Sequence, residues 1–259
     1  MRSKKQNFFI YNLLFTICGR AGSKGIKNKN IRNFLEKPLP LYVLSLIDLY
    51  LKKHSDIHYD IVLNTDSKEL IRIVMEYRKR KIEIIERDAA LADDNVAKCD
   101  VIRNCYMIMK MRKQCDYDMV VDLDIASPVR RLEDLEALIC KMQETRCDIV
   151  ETVTESRRSP YFNIVKETEH GVKTVIEAHY TTRQEAPVTY DENAAMYAYG
   201  TRFLTDSMDW DDSYREIILM PDTGILDLDK PVDLELMQVI ANYLLTTDSG
   251  FRNVYENIS

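Results

Sequence analysis

Residues 13–30 read LLFTICGRAGSKGIKNKN, and the change of character inside this stretch decides the fold. Residues 13–18 (LLFTIC) carry no charge, which predicts a strand buried on both faces. Gly19, Gly22 and Gly25 then punctuate a basic loop that also holds Arg20, Ala21, Ser23, Lys24, Lys29 and Asn30. Glycines let a backbone turn tightly and bring its N–H groups close to a ligand. Arg20, Lys24 and Lys29 can neutralise a chain of phosphates, and Ser23 adds a hydroxyl donor. The pattern is neither a Walker loop nor GxGxxG. A solvated basic turn would also carry these residues. Their position directly after a buried strand favours a ligand, because open α/β sheets bind at the carboxyl ends of their strands.

Outward from this loop, strand-like and helical patterns alternate. Residues 40–53 have a helical apolar period (Leu41, Leu44, Ile47, Leu51), and residues 59–63 read as a strand. Residues 67–80 read as a helix capped by Ser67, followed by a strand at 82–85 and a helix at 96–112. Strands at 118–123 and 148–153 flank a helix at 132–144. Beyond residue 161 the order changes to a hairpin (162–165 and 172–177) and a strand at 196–199. A strand at 225–228 and a closing helix at 232–245 complete the chain. This order implies an α/β fold, a mainly parallel sheet flanked by helices, as one domain over residues 1–259 with an antiparallel insertion at about 161–195.

The 259 residues are enough to bury a large core, and the net charge of −6 argues against a general nucleic-acid binder. Six scattered cysteines form no CxxC pair, which fits a reducing cytoplasmic setting. The basic residues 2–5 and the apolar run that follows imitate a secretion signal, but Tyr11 and Asn12 interrupt the run and it ends in the glycine loop. No other segment is long and apolar enough to span a membrane, so no membrane partner is expected. The four histidines lack metal-ligand spacing, and no serine sits in a nucleophile elbow. Asp122 and Asp124 lie two apart on a strand, so their side chains share one face.

The loop resembles the ARxGSKGIPxKN signature of the acylneuraminate (CMP-sialic acid) cytidylyltransferase family: residues 22–26, Lys29 and Asn30 match in place, with Lys27 where the family has proline. Ile31-Arg32 and Lys37-Pro38-Leu39 continue the likeness. Asn64-Thr65-Asp66 is similar to the family's STD, for which a helix cap is the alternative reading. Arg87, with Leu91-Ala92 and Asp94, resembles RPxxLAxDxx. Ser127, Pro128 and Arg130 match LLQPTSPLR, with Asp124 in place of its Gln and Ala126 in place of its Thr. Arg183, Gln184, Pro187, Tyr190 and Asn193 resemble RQxxPxxYxxNGAxY, with Ala194 at a glycine position. Asp227-Leu228-Asp229 resembles the family's DID.

The resemblance implies a Rossmann-like nucleotide-diphospho-sugar transferase fold and an enzyme that couples CTP to an acidic α-keto sugar, releasing pyrophosphate. It implies nucleotide contacts from Gly19, Arg20, Ala21, Gly22, Ser23, Lys24, Lys29, Asn30 and Arg87. Sugar contacts are implied from Asp124, Ser127, Arg130, Arg183, Gln184, Tyr190 and Asn193, and catalytic roles for Arg20, Lys24 and Asp227. An ionised Asp124 cannot donate a hydrogen bond and would repel a substrate carboxylate, so a legionaminic, pseudaminic or eight-carbon ulosonic acid is the alternative to sialic acid. Asp227 and Asp229, two apart on an expected strand, suit Mg2+ (or Mn2+), a hard ion that takes one or two carboxylates. The alternative for Asp229 is the N-cap of the closing helix. A homodimer through the insertion is implied as well. A catalytically silent nucleotide-binding homologue is the rival from another class.

Overall fold

The computed structural model describes residues 11–22, 25–93, 96–206, 208–223 and 228–258, except for the side chain of residue 183. Strand β1 (Asn12–Cys18) realises the opening apolar run, with Leu13, Leu14, Phe15 and Ile17 fully buried. Two short strands, β2 (Asn33–Phe34) and β3 (Lys37–Pro38), form a small hairpin before α1 (Leu39–Lys53). Then come β4 (His58–Thr65), α2 (Lys68–Glu76), β5 (Glu83–Glu86), α3 (Lys98–Lys113) and β6 (Met119–Leu123). Helix α4 (Leu132–Thr145) leads to β7 (Ile149–Glu155), and β8 (Val165–Thr168) and β9 (Gly171–Thr174) make a separate hairpin. The rest is β10 (Tyr190–Gly200), α5 (Thr201–Thr205), β11 (Arg215–Leu219), α6 (Pro231–Thr247) and α7 (Ser249–Glu256).

The central sheet has the order β11-β7-β10-β6-β1-β4-β5. β10 runs antiparallel to both neighbours, and every other pairing in this sheet is parallel. Side chains alternate across a strand. Leu13, Phe15 and Ile17 therefore face one core, shared with α1, α2, α4 and α7, while Leu14 faces the other, with α3 and α5. The expected layered α/β architecture is thus present, and the crossover connections place the carboxyl ends of β1, β4, β5 and β6 along one rim.

Several boundaries differ from the expectation. α2 stops at Glu76 rather than Arg80, because Arg80 turns back to Asp48 (2.6 Å) and to the Tyr59 hydroxyl (3.1 Å). The hairpin strands lie at Val165–Thr168 and Gly171–Thr174. β10 begins at Tyr190, so residues 190–195 belong to the central sheet and not to the insertion. Its register shifts between Glu192 and Tyr197, where Ala194 has φ +51°, a bulge conformation that favours glycine. β11 and α7 have no counterpart among the elements expected from the sequence. Residues 225–227 of the expected strand at 225–228 lie outside the described residues.

Candidate active site

A cavity of 400 Å³ opens at the carboxyl ends of the parallel strands. Arg20, Gly25, Lys29, Asn30, Arg87, Asp124 and Asp229 all line it, so the structure gathers residues spread over more than 200 positions of sequence. The loop after β1 is tied down on both sides. The Gly19 N–H donates to the Asn64 carbonyl (3.1 Å), and the Ala21 N–H donates to Asp66 Oδ1 (2.6 Å). Asn30 Nδ2 donates to the Arg20 carbonyl (3.0 Å), which closes the loop on itself. Gly22 has φ +77°, which a side chain would resist. Gly25 packs so closely on the Asp229 carbonyl that a Cβ there would collide with it. That contact seats the segment around residue 229 against the loop.

Asp66 is therefore a brace for the loop and not a helix cap. Ser67 is the cap of α2, accepting from the Leu70 N–H (3.2 Å). Arg87 is held with its guanidinium at the cavity wall by Asn64, whose Oδ1 accepts from Nε at 2.6 Å. Arg20 Nη1 donates to the Ala92 carbonyl (3.4 Å). Lys29 pairs with Asp229 at 3.3 Å, and the Asp229 side chain is 69% exposed at the rim. Asp229 is not the N-cap of α6. Lys230 takes that position with Pro231 in the first turn, and Asp233 reaches back to accept from the N–H groups of Asp229 (3.1 Å) and Lys230 (2.6 Å). This leaves the Asp229 carboxylate turned to the cavity. Ser23, Lys24 and Asp227 lie outside the described residues.

The expected sugar-binding residues divide. Asp124 lines the cavity, while Ser127 and Asn193 line a narrow cleft beside it with Thr154 and Met220. Asn193 Oδ1 accepts from Thr152 Oγ1 (2.6 Å) and from the Ala195 N–H (3.1 Å), so it also holds the β10 bulge. Arg130 is fully buried and donates from Nη1 to the Ala195 carbonyl (2.9 Å). Burial pulls its pKa down to about 10 despite the carboxylates of Asp124 and Asp122 nearby. Gln184 lines a separate groove with Ser159 and Pro187, and Tyr190 is exposed at the start of β10. Residue 183 lies in a short 3-10 turn of the same insertion. Neither Gln184 nor Tyr190 lines the central cavity.

Lys98 is not among the site residues expected from the sequence. Lys98, in the first turn of α3, lines the cavity and reaches both Asp122 Oδ2 (2.8 Å) and Asp124 Oδ2 (2.6 Å). Burial acts to lower the pKa of its ammonium, but the two carboxylates outweigh it and hold the pKa well above its usual value. Burial pushes the Asp124 carboxyl up, but Lys98, the Ala126 N–H and Arg130 together bring it below its usual value. A cation in the first turn of a helix opposes the helix dipole. Two acids on a buried strand need a counter-charge. Those two signals together would have pointed to Lys98.

Among the described residues no group of three His, Cys, Asp or Glu side chains forms a metal cage. A hard ion shared with phosphate oxygens needs only one or two carboxylates, and the exposed Asp229 carboxylate beside the phosphate loop fits it. Cations gathered around a glycine loop at the carboxyl rim of the strands suit an anionic ligand. Residues 14–242 match the sequence model described as Cytidylyltransferase, so the chain belongs to the cytidylyltransferase family and is a nucleotidyltransferase. It is 32% identical to the post-translational flagellin modification protein B of Campylobacter coli, over 88% of this chain and 94% of that one. It is 30% identical to the CMP-N,N'-diacetyllegionaminic acid synthase of Campylobacter jejuni, over 88% and 94%. Its fold is similar to that of CMP:2-keto-3-deoxy-manno-octonic acid synthetase complexed with CTP (TM-score 0.59, 14% identity, 90% of this chain and 99% of that one). No described helix is long and apolar enough to cross a membrane.

Proposed function

We propose that this enzyme transfers the cytidylyl group of CTP to a nonulosonic acid of the legionaminic type, giving the CMP-sugar and pyrophosphate. The observation that carries the reading is the cation-lined cavity under the glycine loop, in a chain that matches a legionaminic acid synthase over most of its length. The N-acylneuraminate expected from the loop signature gives way to this alternative. Asp124 supports the change, since it departs from the acylneuraminate pattern at a position that lines the cavity.

In this reading the anomeric hydroxyl oxygen of the acid attacks the α-phosphorus of CTP. The bond from that phosphorus to the bridging oxygen breaks, pyrophosphate leaves, and the hydroxyl proton is lost to water. Arg20, Lys29 and Lys24 hold the phosphates and offset the charge that builds on the leaving group. Arg87, fixed by Asn64, faces the nucleotide. Asp229, with Asp227 as its sequence neighbour, would hold Mg2+ (or Mn2+), which when bound supplies positive charge to phosphate oxygens and acidifies the attacking hydroxyl. No side-chain base is needed where positioning and electrostatics carry the barrier. The exposed apolar residues Val165, Val172, Val175 and Ile176 of the insertion support a homodimer, and the six free cysteines support a reducing, cytoplasmic setting.

The test is pyrophosphate release with CTP and Mg2+ against a panel of legionaminic, pseudaminic, N-acetylneuraminic and octulosonic acids, with ATP, GTP and UTP as controls. Release with CTP and a legionaminic acid is the expected result. Release with another acid reassigns the substrate. CTP binding without release from any acid means a catalytically silent homologue.

A further inference from the structure

The Lys98 cluster is more than charge compensation. Asp122 is fixed from behind by Thr16 Oγ1, which donates to Oδ1 at 2.7 Å, and its side chain is fully buried. Asp124 is fixed by the Ala126 N–H, which donates to Oδ1 at 2.7 Å, yet 26% of its side chain remains open. Lys98 bridges the closed acid and the open one, with 34% of its own side chain exposed. The ion pair is therefore not sealed from solvent. It is presented to the cavity that receives the substrates.

The surroundings favour one reading of the open acid. β1 contributes Cys18, β10 contributes Tyr197 and Tyr199, and Arg130 lies beneath. The Lys98 ammonium lies 5.9 Å from the centre of the Tyr197 ring. Across the cavity stand Arg20, Arg87 and Asp93. A bare carboxylate at this point would repel phosphates and a substrate carboxylate alike. With Lys98 attached, its charge is balanced, and what it still offers is a lone pair to a hydroxyl.

We propose that Lys98 is a positioning residue of the transfer reaction, holding Asp124 oriented as the acceptor for a sugar-ring hydroxyl in the cavity. This rests on the cytidylyl-transfer reading above. Two substrates bring such hydroxyls, the ribose of CTP and the acid itself. Lys98 acts through Asp124, so its removal must resemble the removal of Asp124.

The experiment compares wild type with Lys98→Met, Lys98→Arg, Asp124→Asn and the Lys98→Met/Asp124→Asn double variant, each checked for a cooperative melt. Asp124→Asn preserves shape and reads the loss of the acceptor even where Lys98→Met does not fold. Lys98→Met and Asp124→Asn are each expected to raise one KM by about 10-fold, the size of a lost hydrogen bond to a charged group. A rise in the CTP value that disappears with 2′- or 3′-deoxy-CTP identifies the ribose, and a rise in the acid's value identifies the acid. The double variant is expected within about twofold of Asp124→Asn, since coupled residues do not add. Lys98→Arg restores most of the loss. Losing Lys98 removes the strongest influence that opposes burial at Asp124 and leaves the Ala126 N–H and Arg130, so the carboxyl moves up and Lys98→Met develops an acid limb in kcat/KM that wild type lacks and Asp124→Asn abolishes. Unchanged KM values and pH profile in Lys98→Met, or losses that multiply in the double variant, overturn the proposal. If wild type releases no pyrophosphate with any acid, the function proposed above fails instead. Titration of the Asp124 carboxyl by carbon-13 NMR then tests the Lys98 hold on Asp124 apart from the reaction: an upward move in Lys98→Met sustains that hold, and no move overturns it.

Discussion

The two ends of the parallel sheet both carry cavities, and the larger one is not at the carboxyl ends, where α/β sheets generally take their ligands. At the amino ends of β1, β6 and β7 a cavity of 570 Å³ is lined by Tyr11, Asp118, Arg146, Asp148 and Arg202, among others, against 400 Å³ at the carboxyl ends. The difference lies in what the polar groups are doing. At the amino end they serve the protein: Asp118 accepts from the Asn12 N–H (2.7 Å), and Asp148 accepts from the Tyr214 N–H (2.9 Å) and pairs with Arg202 (3.3 Å). At the carboxyl end a loop with positive-φ glycine backbone, an arginine held by an asparagine and a lysine shared by two acids all face the opening. Volume measures room. Convergent charge held by dedicated braces marks a site.

This contrast can be broken or sharpened by substitution at either end. The largest effect is expected from Lys24→Ala in the glycine loop, with kcat falling about 100- to 1,000-fold, as for loss of a group that stabilises transition-state charge. Its melting temperature should be unchanged, measured by calorimetry beside the kinetics. Arg87→Lys keeps the charge but loses the Nε bond to Asn64, and should raise KM for CTP about 10-fold. At the other end, Arg202→Ala removes an ion pair whose arginine is 67% exposed, and should leave kcat and KM at wild-type values with less than about 0.5 kcal/mol lost in a denaturant melt. A kinetic defect there would erase the distinction between the ends. The smallest effect is expected in the β10 bulge. Ala194→Gly relieves a residue at φ +51°, offset by the entropy glycine adds to the unfolded chain, and should stabilise by about 0.5 kcal/mol.

Much of this was legible in the chain, for identifiable reasons. The apolar run of β1 and the glycines after it announced both the buried strand and the loop, because hydrophobic pattern and turn chemistry agree there. Ser67 is the cap it promised to be. The departure at Ala194 from the family's glycine appears as left-handed backbone at the same residue. What stayed hidden depends on tertiary contacts. β10 read as a four-residue strand because its bulge breaks the alternation before Met196, and the partners that sustain the bulge, Thr152 and Asn193, are 41 positions apart. β11 is a five-residue edge strand, too short for a periodic signal to stand out. Lys98 lies near the start of the helix expected at 96–112, where no motif sets it apart, and only the packing of α3 on β1 and β4 brings it to Asp122 and Asp124.

The central claim is that the nucleotide binds at the carboxyl end of the sheet, under the glycine loop. Hydrogen–deuterium exchange with and without CTP and Mg2+ tests it most directly, because it reports where the chain is protected and is independent of the sugar. Protection is expected over residues 19–32 and 87–98, with none over 142–148 and 200–206. Protection confined to 142–148 and 200–206 would place the nucleotide in the larger cavity and contradict the account.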